Sequence, residues 1–260
     1  MLMMEQLKKM KTDEKDAKKS YETMANYYHK IRIKKGEIGK FYNEMLEMPT
    51  TFELLGNVKD KKILDWGCGS GIYAKILTKK GAKVKGFDIS PTMIKIAKEE
   101  NPNLDLKVGS GTKIPFKEKF DIVVASLAIH YLKDWDKVFK EVKKVLKKKG
   151  YFIFSVGNPF THTCKKEKVK GKKMRVMGIK SYFKDHKLSA DWKLPNGKTA
   201  TIITYVKTYE EMINIILKNN FEIVGYKDTF PLKKAKKLFP EEYELNSKIP
   251  FFCVWKIRKK

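Results

Sequence analysis

The run Lys62-Ile63-Leu64-Asp65-Trp66-Gly67-Cys68-Gly69-Ser70-Gly71-Ile72-Tyr73-Ala74, with Asp88 seventeen residues after Gly71, constrains this chain more than any other feature. Ile63 and Leu64 end a short apolar strand, three alternate glycines make a tight turn, and 73–80 restarts as a helix whose first amides face a ligand. Glycine is needed there because a side chain would block close approach of the backbone and because positive φ is cheap only without Cβ. The whole reads as a nucleoside-binding βαβ unit. Its spacing narrows the ligand. A dinucleotide fingerprint is G-x-G-x-x-G, whereas here the third glycine comes one position early and Ile72 takes the expected place. Asp65, at the end of the strand, would repel a pyrophosphate and attract a cationic amino or sulfonium group. NAD is thereby disfavoured.

The run Asp65-Trp66-Gly67-Cys68-Gly69-Ser70-Gly71, with Asp88 ending the next strand, resembles motif I and the ribose-binding acid of class I S-adenosylmethionine (SAM) dependent methyltransferases. The resemblance continues along the chain. Residues 108–116, Val-Gly-Ser-Gly-Thr-Lys-Ile-Pro-Phe, look like the adenine-side loop, and residues 120–131 look like the fourth strand and the loop after it. Residues 138–155 are similar to the helix, glycine turn and fifth strand that follow. Tyr21 to His29 is similar to a Tyr-Asp-x-x-Ala-x-x-Tyr segment that covers the cofactor in small-molecule members of the family, with Glu22 in place of the Asp. One departure stands out: Ser110 occupies the position where many relatives carry an Asp that accepts the adenine amino hydrogen, and a hydroxyl is the weaker acceptor.

Alternation of short strands and amphipathic helices from 62 to 156 implies a parallel sheet with helices on both faces. The resemblance implies the rest: an α/β, Rossmann-like, doubly wound sheet of seven strands in the order 3-2-1-4-5-7-6, the last strand antiparallel. The expected organisation is a helical cap over 1–56, a cofactor-binding core over 57–156, an inserted lid over 157–207 and a completion of the sheet over 208–260. Within the cap, helical spacing begins near Ser20, and residues 1 to about 17 read as a fraying start. Pro49 marks the start of a further helix.

Ligands of such sheets lie beyond the carboxyl ends of the strands, where Asp65, Gly67, Gly69, Gly71, Asp88, Ser110 and Ser126 fall. The resemblance makes SAM the cofactor and S-adenosylhomocysteine (SAH) the product, with Asp88 on the ribose hydroxyls, Ile89 and Met93 flanking the adenine, and Tyr28 and Gly111 completing the contacts. The competing readings are a helix-capping role for Asp88 and ordinary core packing for Ile89 and Met93. Methyl transfer from a sulfonium is an in-line displacement in which alignment does most of the work, and a base is needed only when the acceptor must lose a proton. His130 and Tyr131, after the fourth strand, are the candidate catalytic residues. His29 and His162 are weaker candidates, and Cys164 lacks the flanking proline of a base methyltransferase nucleophile.

The net charge of +27 invites a nucleic-acid reading. Composition weighs against it, because Arg32, Arg175 and Arg258 are the only arginines among 57 basic residues and arginine is the residue suited to bidentate phosphate recognition. The lysines are scattered, apart from a cluster of six at 165–173. The reading is therefore a methyltransferase acting on a small molecule, which the lysines would suit if it is anionic. An RNA methyltransferase using the basic lid is the alternative, and a non-catalytic SAM-binding protein is the third. No apolar run approaches the ~20 residues of a membrane span, the charged start does not resemble a signal peptide, and three distant cysteines give neither a disulfide framework nor a zinc site. A cytoplasmic location and no metal are expected; oligomeric state is not legible.

Overall fold

The computed structural model describes residues 12–162, 164–169, 172–177, 182–183 and 187–260. Seven strands form one sheet: β1 Lys62–Trp66, β2 Lys83–Asp88, β3 Asp105–Val108, β4 Phe120–Ala125, β5 Leu146–Gly157, β6 Phe221–Asp228 and β7 Phe252–Lys259. Their order is 3-2-1-4-5-7-6, with β1 to β5 parallel and β7 antiparallel to both β5 and β6. This is the expected topology.

Period-two alternation sorts the strand residues onto two cores. Leu64, Val123, Phe152, Phe154 and Ile257 face a cluster with Phe139 and Val142 of α5 (Trp135–Val145) and Ile216 of α6 (Tyr209–Lys218). Their neighbours Ile63, Ile122, Val124, Ile153 and Val254 face Leu55 of α2 (Met48–Leu55) and Leu77 of α3 (Ile72–Lys79). Burial on both sides explains why the strands read as apolar runs. Local chemistry marks the helix ends: Ser90 caps α4 (Pro91–Glu100) by accepting from the Met93 N–H, Asp134 caps α5, and Thr208 and Glu211 form a capping box on α6. The helix α7 (Pro240–Lys248) lies between β6 and β7 in the chain.

The N-terminal helix α1 spans Thr12–Ile33, starting eight residues before the expected Ser20. Its first turns carry no apolar stripe; polar contacts described below hold them instead. Residues 38–55 are helical throughout, with a π-helical stretch over Phe41–Glu47 that leads into α2, where Pro49 sits in the first turn as expected. Among its described residues the insertion after β5 contains two antiparallel hairpins, Cys164–Val169 with Lys172–Met177 and Lys187–Lys193 with Thr199–Tyr205, the second closed by a turn at Pro195-Asn196-Gly197. The side chains of His162, Cys164 and the lysines of 165–173 lie outside the described residues, as do residues 1–11. Among the described residues no helix is long and apolar enough to cross a membrane.

Candidate active site

At the carboxyl end of β1 the chain turns through Gly67, Gly69 and Gly71, all at positive φ of 71°, 52° and 79°. The Gly67 and Cys68 amides both donate to the Phe87 carbonyl at 2.9 Å, which ties the turn to β2. The three glycines serve different ends. A Cβ on Gly67 would lie 2.7 Å from Cβ of Ala128, and one on Gly71 would lie 2.6 Å from Nδ2 of Asn101, so these two let protein segments meet. A Cβ on Gly69 would meet nothing within 4 Å. Gly69 borders an open cleft with about 880 Å³ of empty space, part of it continuous with solvent.

Two carboxyls bracket that cleft. Asp88, ending β2, accepts from the Gly69 amide at 2.9 Å through Oδ2 and from the Ser90 amide at 2.9 Å through Oδ1. Burial pushes its pKa up to about 6 despite those amides. Asp65 is 1% exposed, and burial together with the neighbouring Asp88 raises it to about 7; its Oδ2 has no hydrogen-bond partner. Arg32 of α1 also lines the cleft, is buried, donates to the Tyr28 hydroxyl at 3.4 Å, and leaves its Nε without a partner. Asp65 and Arg32 form no ion pair with each other. A buried carboxylate and a buried guanidinium, each holding hydrogen-bonding capacity in reserve, are complementary to the ammonium and carboxylate of an amino acid.

The cleft brings together Tyr28, Asp65, Gly67, Gly69, Asp88, Ile89, Gly111, Ser126 and Tyr131 of the expected residues. Four others do not line it. Gly71 packs against α4, as above. Met93 is fully buried beside Ala25 and Ile96, so its side chain fills the α1–α4 contact. Ser110 donates its hydroxyl to Glu14 of α1 and lies 3.0 Å from the Thr112 hydroxyl. His130 lines a different cavity. Gly111 is required by packing as well, since a Cβ there would fall 2.0 Å from the Trp66 ring. Tyr131 accepts a hydrogen bond from the Tyr21 hydroxyl at 2.7 Å, and burial first, then neighbouring tyrosines, holds both phenols well above their ordinary pKa. Tyr131 is thus a neutral phenol near pH 7, able to orient a partner and ill suited to removing a proton.

Residues that sequence reading passed over also line the cleft: Arg32, Asn43 and Tyr73. Arg32 had a signal, being one of three arginines in a chain of lysines. Tyr73 donates to Glu47 at 2.8 Å. Glu47, at the end of the π-helical stretch, is fully buried and also accepts from the hydroxyls of Thr51 and Ser155. Ser155 in turn accepts from the amide of Leu127, which lines the cleft at a positive φ of 49°.

Helix α1 roofs the site and is fastened by acids. Glu22 accepts from the Ser90 hydroxyl and from Thr92, Glu14 accepts from Ser110 and Thr112, and Asp13 accepts from the Lys133 amide. Met24 of α1, with Tyr21 and Tyr28, packs against Trp192, Leu194, Ala200 and Ile202 of the second hairpin.

The sheet order, the glycine turn and the acid ending β2 define a Rossmann-like nucleoside-binding enzyme core. Residues 64–154 match the family described as a methyltransferase domain. An uncharacterized protein of Haemophilus influenzae is 29% identical over 192 residues, 70% of this chain and 75% of that protein. The ubiquinone biosynthesis O-methyltransferase of Pelagibacter ubique is 33% identical over 105 residues, 39% of this chain and 44% of that enzyme, so the chain spans under half of its length. A crystal structure of a putative SAM-dependent methyltransferase from Listeria monocytogenes superposes with a TM-score of 0.71 at 26% identity, covering 82% of this chain and 96% of that one. Residues 64–154 thus match a methyltransferase domain, and over 82% of its length the chain resembles a putative SAM-dependent methyltransferase, a likeness that supports SAM as the cofactor. The residues present fit it: unpartnered Asp65 and Arg32 atoms await a zwitterion, and the space over Gly69 admits a ligand backbone-close.

Proposed function

We propose that this enzyme methylates a small molecule, with the cofactor's amino group on Asp65, its carboxylate on Arg32 and its ribose hydroxyls on Asp88. Bound SAM supplies a methyl group already activated on a sulfonium. The chain's own contribution is to hold both ends of the amino acid, to exclude water beneath α1, and to orient an acceptor beside the 3₁₀ turn Ile129–Tyr131. The observation that carries the reading is the pair of opposite, buried, incompletely bonded charges, Asp65 and Arg32, in one cleft with Asp88.

A small acceptor is supported by the apolar roof of α1 and the second hairpin, which leaves a cleft suited to a compact molecule. It is supported too by the name of the Pelagibacter relative, a ubiquinone biosynthesis enzyme. RNA is not favoured. Calorimetry with SAH and NAD tests the cofactor half, and binding of NAD without SAH would overturn it. Tritiated methyl transfer tests the acceptor half: label should enter a small-molecule extract, and saturable incorporation into total tRNA or rRNA would reverse the assignment.

A further inference from the structure

Phe160, Phe183 and Phe230, the exposed phenylalanines among the described residues at 40%, 77% and 57%, all hang from one hub. The hub is Asn158, fully buried just after β5. Its Oδ1 accepts from the Phe160 amide at 3.0 Å and from the Tyr209 hydroxyl at 2.9 Å, and its Nδ2 donates to Asp228 at 2.7 Å, two residues before Phe230. The Tyr209 amide donates to the Tyr182 hydroxyl at 3.2 Å, and the rings of Tyr182 and Phe183 stand 5.0 Å apart. The pairings of Gly157 with Phe252 and of Asp228 with Cys253 set this hub at the carboxyl end of β5 and β6, the end of the sheet at which the cofactor cleft opens.

The chain after Phe230 adds charge to the same place. Residues 229–240 contain no acid, and Lys233, Lys234, Lys236, Lys237 and Leu238 are all exposed. Acids resume at Glu241 on α7, where Glu244 is held by Lys248 at 3.0 Å. The segment is anchored from beneath: Ala235 and Phe239 are buried against Phe41 and Leu46, and the Leu232 amide donates to the Met45 carbonyl at 2.9 Å. Leu127 of the cofactor cleft packs on the same apolar cluster.

Apolar side chains grouped in the open and rimmed by charge mark a surface that meets a partner, and the lysines make that partner an anion. Nucleic acid is the competing anion. Its recognition favours arginine and stacking faces, whereas every basic residue from 229 to 240 is lysine and Leu238 offers no face on which a base can stack. Phenylalanine and leucine beside lysine suit the boundary of a bilayer, where apolar side chains enter the headgroup layer and lysine stems lie along it with their ammonium groups at the lipid anions.

We infer that this surface docks the enzyme on an anionic phospholipid bilayer, with Phe183, Phe230 and Leu238 entering the headgroup layer and Lys233, Lys234, Lys236 and Lys237 on its anionic groups. Docking does not depend on the methyltransferase reading, and it turns the end of the sheet that holds the cleft toward the lipid.

The test is co-sedimentation of the full chain with vesicles of phosphatidylcholine alone or of equimolar phosphatidylcholine and phosphatidylserine. Saturable binding is expected to the anionic vesicles and only weak binding to the neutral ones. Phe230→Ser and Leu238→Ser should each weaken it roughly tenfold. Changing Lys233, Lys234, Lys236 and Lys237 together to Gln should weaken it roughly a hundredfold or more. The control removes the same charge from the opposite end of the strands, at the exposed Lys59, Lys61, Lys79 and Lys83, and should change binding by no more than about twofold. SAH affinity should be the same in every variant, which checks that each is folded; if Phe230→Ser, which loses a ring contact with Tyr243, does not fold, Leu238→Ser and the lysine variants decide. Equal losses in the two lysine variants, or undiminished binding in Leu238→Ser, would reduce the effect to diffuse charge and overturn the inference. Saturable binding of polyuridylate with none to anionic vesicles would overturn it in favour of nucleic acid. Failure of SAH to bind the unaltered enzyme would instead strike the proposed function.

Discussion

Glu22 of α1 accepts hydrogen bonds from both the amide of Thr92, at 3.0 Å, and its hydroxyl, at 2.7 Å, so the helix that roofs the cofactor cleft is fastened to the first turn of α4. Burial works against the charge, but the bonds from Ser90 and Thr92 outweigh it and hold the carboxyl below its ordinary value. A depressed carboxyl contributes stability that is fully present above its unfolded pKa, near 4.5, and is lost as pH falls through the lower folded value. Glu22→Ala should weaken SAH binding roughly tenfold and increase hydrogen exchange over residues 20–31 without changing exchange in β4. Unchanged exchange in α1 would show that its apolar contacts alone hold the roof.

Asp65 has the opposite sign. With a folded pKa near 7 against 3.8 in the unfolded chain, the folded state holds the proton more tightly, so this group's effect on stability worsens as pH rises from about 4 to about 7 and is flat above. Asp65→Asn should therefore raise the melting temperature of the ligand-free protein at pH 7.5, by on the order of 5 °C, while lowering SAH affinity by about a hundredfold. In the wild type SAH affinity should fall as pH drops below about 7, because an ammonium needs the ionised carboxylate; the variant should lack that dependence. A melting temperature that falls in Asp65→Asn contradicts the argument.

Arg32 is separable from the nucleoside contacts. Arg32→Gln should weaken SAH binding by roughly ten- to a hundredfold, yet leave the affinity for 5′-methylthioadenosine, which lacks the amino acid portion, unchanged. Equal losses for both ligands would make Arg32 a structural residue of α1.

The glycines should divide as their surroundings do. Gly111→Ala drives a Cβ into the Trp66 ring and should destabilise the fold by several kcal/mol in denaturant unfolding. Gly67→Ala clashes with the Ala128 side chain, and Ala128→Gly should restore part of the loss. Gly69→Ala meets open space, so its stability loss should be limited to backbone strain of about 1–2 kcal/mol while SAH binding falls. Loss of folding in Gly69→Ala with retained SAH binding in Gly111→Ala would invert the scheme.

The sheet was legible because its strands are buried on both faces and separated by glycine turns and capped helices, whereas the strand order came from family resemblance. The hairpins were not legible: Lys187–Lys193 is exposed at nearly every position, which leaves no alternation to read. The start of α1 was missed for a related reason, since Asp13 and Glu14 are buried by polar partners rather than by an apolar stripe. Asp65 and Asp88 could be placed because strand ends are fixed by the glycine turn. Met93 and Ser110 could not, because a shift of a few ångströms turns a ligand contact into packing against α1. Arg32 was visible only as a compositional anomaly.

The Glu47 cluster bears on the order of assembly. Its carboxylate is satisfied by Thr51 four residues away, by Tyr73 at a separation of 26 and by Ser155 at a separation of 108. A buried charge with only some of these partners is worse off than one left in water, so the cluster gains nothing from being built piecemeal. Residues 38–55 precede β5 in synthesis, and their inward face can close only after β5 has been made and paired with β4. Contacts of such separation are slow to form, which places completion of the cofactor cleft late in folding, with Leu127 drawn into its left-handed conformation as the Ser155 hydroxyl arrives.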